Sequence, residues 1–200
     1  MPTKRFHRIL GIILLLPLLG WALTGLVFFI KPGYSDAYQP LVIKTYPIDT
    51  SWTIDTAKHW QDVRLVKTIL GTHLLVTTDD NTKHLNPYTL QEKALPSSDQ
   101  LTVLIEDAIS PNQDRYGSVT AIKDSVATTD TAVTITLDWK TLKLTQRGQD
   151  TELINLIYKI HYLQWTPYAA INQVLGFAGL FLLMALTVLG AMLVVKKSDK

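Results

Sequence analysis

Residues 9–30 read ILGIILLLPLLGWALTGLVFFI and residues 169–195 read AAINQVLGFAGLFLLMALTVLGAMLVV, two charge-free apolar runs near opposite ends of a 200-residue chain. At about 1.5 Å rise per residue the first covers roughly 33 Å and the second roughly 40 Å, and either can cross a hydrocarbon core of about 30 Å. Lys4, Arg5 and Arg8 precede the first run, and Lys196, Lys197 and Lys200 follow the second. The positive-inside rule then puts both ends in the cytoplasm and the stretch between the runs across the membrane. A basic start before an apolar run also describes a secretory signal peptide, whose core holds about 7–15 apolar residues before a small-residue cleavage site. Here the run is 22 residues long and ends in the bulky Val27-Phe28-Phe29-Ile30, so an uncleaved anchor is expected. The short basic start and two-span layout suit a bacterial inner (cytoplasmic) membrane, with the central segment in the periplasm.

The overall charge of +2 conceals this arrangement, because the 138 residues between the runs carry 16 acidic and 13 basic side chains while the ends are basic. No basic face for nucleic acid remains in the central segment, so the partners expected are the lipid bilayer and other proteins. There is no cysteine, which excludes disulfides, thiolate catalysis, cysteine-ligated zinc and iron–sulfur clusters.

Within the central segment, Lys31-Pro32-Gly33 ends the first helix, and the Pro- and Tyr-containing stretch to Pro47 reads as extended. The resulting layout is a basic cytoplasmic tail at 1–8, a first span at 9–30, an extended linker at 31–47 and an exported domain at 48–151. An amphipathic interfacial helix at 152–167, a second span at 168–195 and a basic tail at 196–200 follow. In the domain, Thr50 to Asp62 fits a short helix starting near Ser51 or Asp55. Val63–Ile69, His73–Thr78, Thr82–Leu85 and Leu90–Ala94 read as strands, with Asp79-Asp80-Asn81 as a hairpin turn.

Sliding the chain by 52 residues lays Leu85-Asn86-Pro87-Tyr88-Thr89-Leu90 on Leu137-Asp138-Trp139-Lys140-Thr141-Leu142, with Thr77 on Thr129 and Thr82 on Thr134. Two half-repeats are expected, the second built from a helix at Leu101–Ile109 and strands at Val119–Lys123, Ala132–Asp138 and Leu142–Gln146. The alternative is two ordinary hairpins with similar turns. After the domain, Leu153, Ile157 and Ile160 share one side of a helix, while Tyr158, Tyr162, Trp165 and Tyr168 form the aromatic belt of a membrane–water boundary near Pro167. The fold class is therefore a membrane protein in which two transmembrane α-helices flank an α+β exported domain of two helix-plus-antiparallel-hairpin half-repeats.

The first span reads Arg5-Phe6-His7-Arg8-Ile9-Leu10-Gly11 and later Ala22-Leu23-Thr24-Gly25-Leu26. Ahead of the second comes Ile160-His161, and the span runs through Leu175-Gly176-Phe177 to Leu186-Thr187-Val188-Leu189-Gly190. This resembles the PepSY-associated transmembrane family, in which a histidine and a Leu-Gly stretch open a helix that later carries a Thr-Gly pair, and a second histidine opens the helix after the exported domain. Asn86-Pro87-Tyr88-Thr89-Leu90 is similar to the closing hairpin of a PepSY domain, with Leu90 and Leu142 where that hairpin usually has glycine. The resemblance implies a PepSY-like exported domain. Some longer relatives, with about four spans, carry b-type haem and reduce siderophore-held iron; this chain has half as many spans.

His7 and His161 are accordingly the candidate cofactor ligands, for haem b. Within one chain they lie at opposite membrane edges, roughly 30 Å apart, so ligating one iron from both faces needs a homodimer or a larger membrane complex. The alternative makes His7 an interfacial side chain between Arg5 and Arg8, and His161 a polar cap between Tyr158 and Tyr162. Gly11, Gly20, Thr24, Gly25, Gly176, Gly179 and Gly190 permit close helix approach. His59, His73 and His84 show no metal-ligand spacing and read as solvated surface. No GxSxG elbow, phosphate-binding loop or dinucleotide fingerprint is present, and no catalytic residue or metal site is assigned. Two functions follow: a non-enzymatic accessory or binding protein presenting its domain to an unidentified periplasmic protein, or a b-haem subunit of an electron-transfer or ferric-siderophore reduction system.

Overall fold

The computed structural model describes residues 2–49, 51, 53, 60–79 and 81–198, with the side chains of Pro2 and residues 196–198 left out. Of the helix expected over 50–62, residues 50, 52 and 54–59, with Asp55 and His59, lie outside the described residues, as does Asp80, and its last residue, Asp62, instead opens the first strand. Two compact units emerge: residues 1–34 with 152–200, and residues 35–151.

The first unit is a helix pair. α1 runs from Pro2 to Ile30 and α6 from Ala169 to Ser198, and both are long and apolar enough to cross a membrane. The basic tail expected at 1–8 is the first two turns of α1 from Pro2 onward. The helices pack antiparallel, and glycines set their approach. A Cβ placed on Gly190 would lie 3.3 Å from His7, one on Gly11 3.9 Å from Leu186, and one on Gly179 3.3 Å from Trp21. Small residues at these points let two backbones come together where lipid offers no hydrophobic drive for association.

α5 (Gln149–His161) leads toward α6. It stops earlier than its aromatic pattern suggested, because Leu163 turns left-handed (φ 54°) and Gln164 N–H reaches back to the Lys159 carbonyl. Asn172 then fastens the connection, accepting from Thr166 N–H and donating to the Thr166 carbonyl.

The second unit contains two antiparallel meanders. β1 (Asp62–Thr68), β2 (Gly71–Thr78) and β3 (Asn81–Leu85) form one sheet in that order. β4 (Val119–Lys123), β5 (Val126–Thr129), β6 (Thr134–Asp138) and β7 (Lys143–Arg147) form the other. Between them α3 (Ser98–Ile109) starts with a capping box, in which Ser97 and Gln100 each bond the other's backbone N–H. Its buried face, Leu101, Leu104, Ile105, Ala108 and Ile109, shares a core with Ala127, Ile135, Leu137 and Leu144 of the second sheet. A short α4 (Gln113–Tyr116) follows α3, and a one-turn α2 (Tyr34–Ala37) follows α1 in the chain.

Four expectations need correction. The lead treated as a linker to residue 47 belongs to the folded unit from Ser35: Leu41 and Ile43 are buried in the α3 core while Val42 faces out, a period-two pattern. Tyr46 continues this attachment by bridging to Lys67 of β1 and donating to Asp107 of α3. Leu90–Ala94 is not a strand; Leu90 is left-handed (φ 57°) and the chain pairs with β3 only through a Leu85–Glu92 bridge. Ala132 (φ 60°) sits in a turn, so β6 starts two residues late, and β5 was missed altogether. Most consequentially, His73 and His84 are buried rather than solvated.

The 52-residue repeat has a structural counterpart. Asn86 accepts from the backbone N–H of Tyr88 and Thr89, and Asp138 from those of Lys140 and Thr141. Leu90 and Leu142 then adopt matching φ values of 57° and 51°.

Candidate functional site

His161 closes α5, where its ring meets α1. Its Nδ1 lies 2.8 Å from Thr24 Oγ1. Thr24 spends its single hydroxyl proton on the Gly20 carbonyl at 2.6 Å, the backward bond usual for threonine in an apolar helix. The oxygen must therefore accept from His161 Nδ1–H. In the neutral imidazole this fixes the tautomer and leaves the lone pair on Nε2, which makes no hydrogen bond in the described structure. A ligating histidine needs this arrangement: one nitrogen donates to an orienting acceptor and the other is free for a metal.

Phe28 holds the ring edge-on at 4.9 Å and Tyr162 at 5.3 Å. Beside it opens an apolar recess of about 360 Å³ bounded by Trp21, His161, Leu163, Gly176, Leu180 and Leu183. That volume falls in the range of small-molecule and cofactor sites. Trp21 Nε1, in the same wall, is buried without a hydrogen-bond partner among the described residues.

His7 is different. Its ring rests on Gly190, and its Nδ1 is buried without a partner among the described residues, so no acceptor there orients it through that nitrogen. Seventeen residues of α1 separate it from Thr24, about 25 Å at 1.5 Å per residue. The two candidate ligands are therefore not brought together, as their positions in sequence required. His161 is engaged by Thr24 of α1, a pairing that sequence could not show.

A family model, PepSY-associated TM region, matches residues 3–197. The chain belongs to this family. No curated protein and no solved structure matches it. Membership accounts for α1 and α6 as membrane spans and for a PepSY domain between them, so the chain is a membrane protein. In this PepSY domain the closing turns carry Leu90 and Leu142 in the left-handed backbone that glycine adopts without strain.

Among the described residues, no group of three or more His, Asp or Glu side chains is placed to hold a metal ion. His73 and His84, expected at the solvated surface, instead join a buried run of hydrogen-bonding groups in the PepSY domain. Thr68 Oγ1, His73 Nε2 and Nδ1, His84 Nε2 and Nδ1, and the Trp139 carbonyl form a chain with successive contacts of 2.8, 2.9 and 2.7 Å. Burial, and then Lys93, push His73 down to about 3. Burial also lowers His84, against a smaller opposing effect from the Trp139 carbonyl.

Proposed function

We propose that this protein is a haem-carrying accessory subunit of a bacterial inner-membrane complex, with both termini cytoplasmic and the PepSY domain in the periplasm. The observation that carries the reading is His161, tautomerically fixed by Thr24 and presenting a free Nε2 beside a recess whose Trp21 N–H has no partner. These residues fit haem b: His161 would ligate its iron, Trp21 would donate a hydrogen bond to it, and Gly176 would leave room for it. Haem held in this way supplies reversible one-electron chemistry.

One chain offers one oriented histidine at this depth, because His7 lies about 25 Å along α1. A second ligand for the group would come from His161 of a second copy or from a larger partner. His7 lacks an orienting acceptor and is the weaker candidate. With no catalytic constellation assigned, the protein serves electron transfer or ferric-siderophore reduction as a subunit and not as a complete enzyme.

The test is an absorption spectrum of detergent-purified protein from haem-replete cells, before and after dithionite, with haem and chain quantified. Reduced Soret and α bands at one haem per two chains are expected. His161→Ala should abolish them and Thr24→Val should lower haem retention severalfold. Colourless, folded wild-type protein would overturn the haem assignment and leave a non-enzymatic anchor whose PepSY domain binds a periplasmic protein.

A further inference from the structure

The PepSY domain holds a second polar device that the haem reading does not use. His73 on β2 and His84 on β3 are 0% and 2% exposed, lying between the first sheet and Trp139 in the closing turn of the second half-repeat. Their rings sit 5.5 and 4.3 Å from the indole. Leu74 and Val76 face their own cluster with Leu85. His73 and Leu75 point to the other side of β2, as strand alternation requires.

Proton placement along the chain follows from its ends. The Trp139 carbonyl can only accept, so His84 Nδ1 carries a hydrogen. Neutral His84 then accepts at Nε2, and His73 Nδ1 must donate to it across 2.9 Å. His73 Nε2 in turn accepts from Thr68, whose oxygen also accepts from Leu70 N–H. From Thr68 through His73 and His84 to the Trp139 carbonyl, the bonds all run in one direction.

Lys93 closes the arrangement from the segment after β3. Its Nζ donates to the Thr72 carbonyl at 2.9 Å and lies 3.2 Å from His73 Nδ1, while its carbonyl accepts from the Trp139 indole. The groups facing the pair are therefore Thr68 from β1, Trp139 from the β6–β7 turn, both uncharged, and the Lys93 amine. No carboxylate among these contacts could stabilise an imidazolium.

We infer that the His73–His84 pair is a proton-operated latch between the two half-repeats, shut while both rings are neutral and released when either takes up a proton. A proton entering from His84 reverses the chain. Thr68 Oγ1 must then accept from both Leu70 N–H and His73 Nε2–H, and its own hydrogen loses its acceptor. The added positive charge also lies in the core beside Lys93, where little water screens it. Moving the first sheet away from Trp139 relieves both conflicts by letting the rings hydrate. The folded rings favour the neutral form, so the latch is fully held above the unfolded histidine value of about 6.5 and weakens as pH falls below it.

Hydrogen exchange of the full-length protein in detergent, corrected for the intrinsic rate at each pH, tests this. Between pH 7.5 and 4.5, peptides covering residues 71–85 and 137–143 should lose at least tenfold in protection, while α3 and β5 keep theirs. The double variant His73→Gln, His84→Gln should lose this selective response. Histidine ¹⁵N spectra of the wild type supply an independent readout should that variant fail to fold: both rings should be Nδ1–H tautomers at pH 7.5. Uniform loss of protection across the domain would overturn the inference. So would either ring titrating near 6.5 with residues 71–85 still protected.

Discussion

At Leu90 and Leu142 two demands meet in one residue. The closing turn of each half-repeat needs a left-handed residue, which costs a side-chain-bearing residue about 1 kcal/mol or more relative to glycine. Both leucines nevertheless sit half-buried, Leu90 against the Leu74–Val76–Leu85 cluster and Leu142 against the α3 core. Half-burial of a leucine contributes about 1 kcal/mol, comparable to the conformational cost, so packing offsets strain. Substitution order at Leu90 separates the two effects. Leu90→Ala loses the packing and keeps the strain, and should cost about 1–2 kcal/mol in denaturant unfolding. Leu90→Gly loses the packing but relieves the strain, and should be more stable than Leu90→Ala by roughly 0.5–1 kcal/mol, the reverse of the usual alanine-over-glycine order. Alanine proving the more stable would mean that the left-handed backbone is not what this position demands.

Individual elements were legible where one local rule dominates. The two spans follow from apolar length, and α3 from apolar spacing. β5 was hidden because its turn uses Asp124 and Ser125, both left-handed at 49° and 64°, where glycine or asparagine would have marked a hairpin. His73 and His84 read as surface in sequence because a histidine facing a second packed layer looks like a solvated one until Trp139, 55 residues beyond His84, arrives over it. His161 was legible as a candidate, but its partner Thr24 was noted only for close helix approach. The contact joins residues 137 apart. The start of α5 depends on long range as well. Arg115 of α4 reaches Asp150 through Nη1 at 2.6 Å and Nη2 at 3.4 Å, and Asp150 also accepts from Thr151 N–H in the first turn of the helix. The Arg115 hydrogen bond holds the Asp150 carboxyl below its usual value, so this pair contributes most above about pH 4 and is lost as acid protonates it. Asp150→Ala should cost about 1.5–3 kcal/mol at pH 7, with Arg115 left only 10% exposed and without its ion pair. The gap from wild type should narrow as unfolding is measured below pH 4; a constant gap would mean the charge is not what stabilises the helix start.

For the whole molecule, the distribution of charge supports the proposed orientation. Basic side chains collect at the two ends, while the central stretch has 16 acidic and 13 basic groups, so retaining both ends in the cytoplasm moves the less positive part across. The antiparallel helix pair is consistent with this, since two spans running in opposite directions return the chain to the side it left. A cysteine-free sequence makes the orientation directly measurable, because one introduced thiol is the only thiol. Lys140→Cys places it on an exposed turn of the PepSY domain, and Thr3→Cys places it at the start of α1. In cells with a permeabilised outer membrane and an intact inner one, a membrane-impermeant maleimide should label Lys140→Cys and leave Thr3→Cys unlabelled until detergent is added. The opposite pattern would put the PepSY domain in the cytoplasm. Labelling at both sites before detergent would mean that α1 does not remain a span, and the recess beside His161, which requires Trp21 and Thr24 of α1, could not form in the membrane.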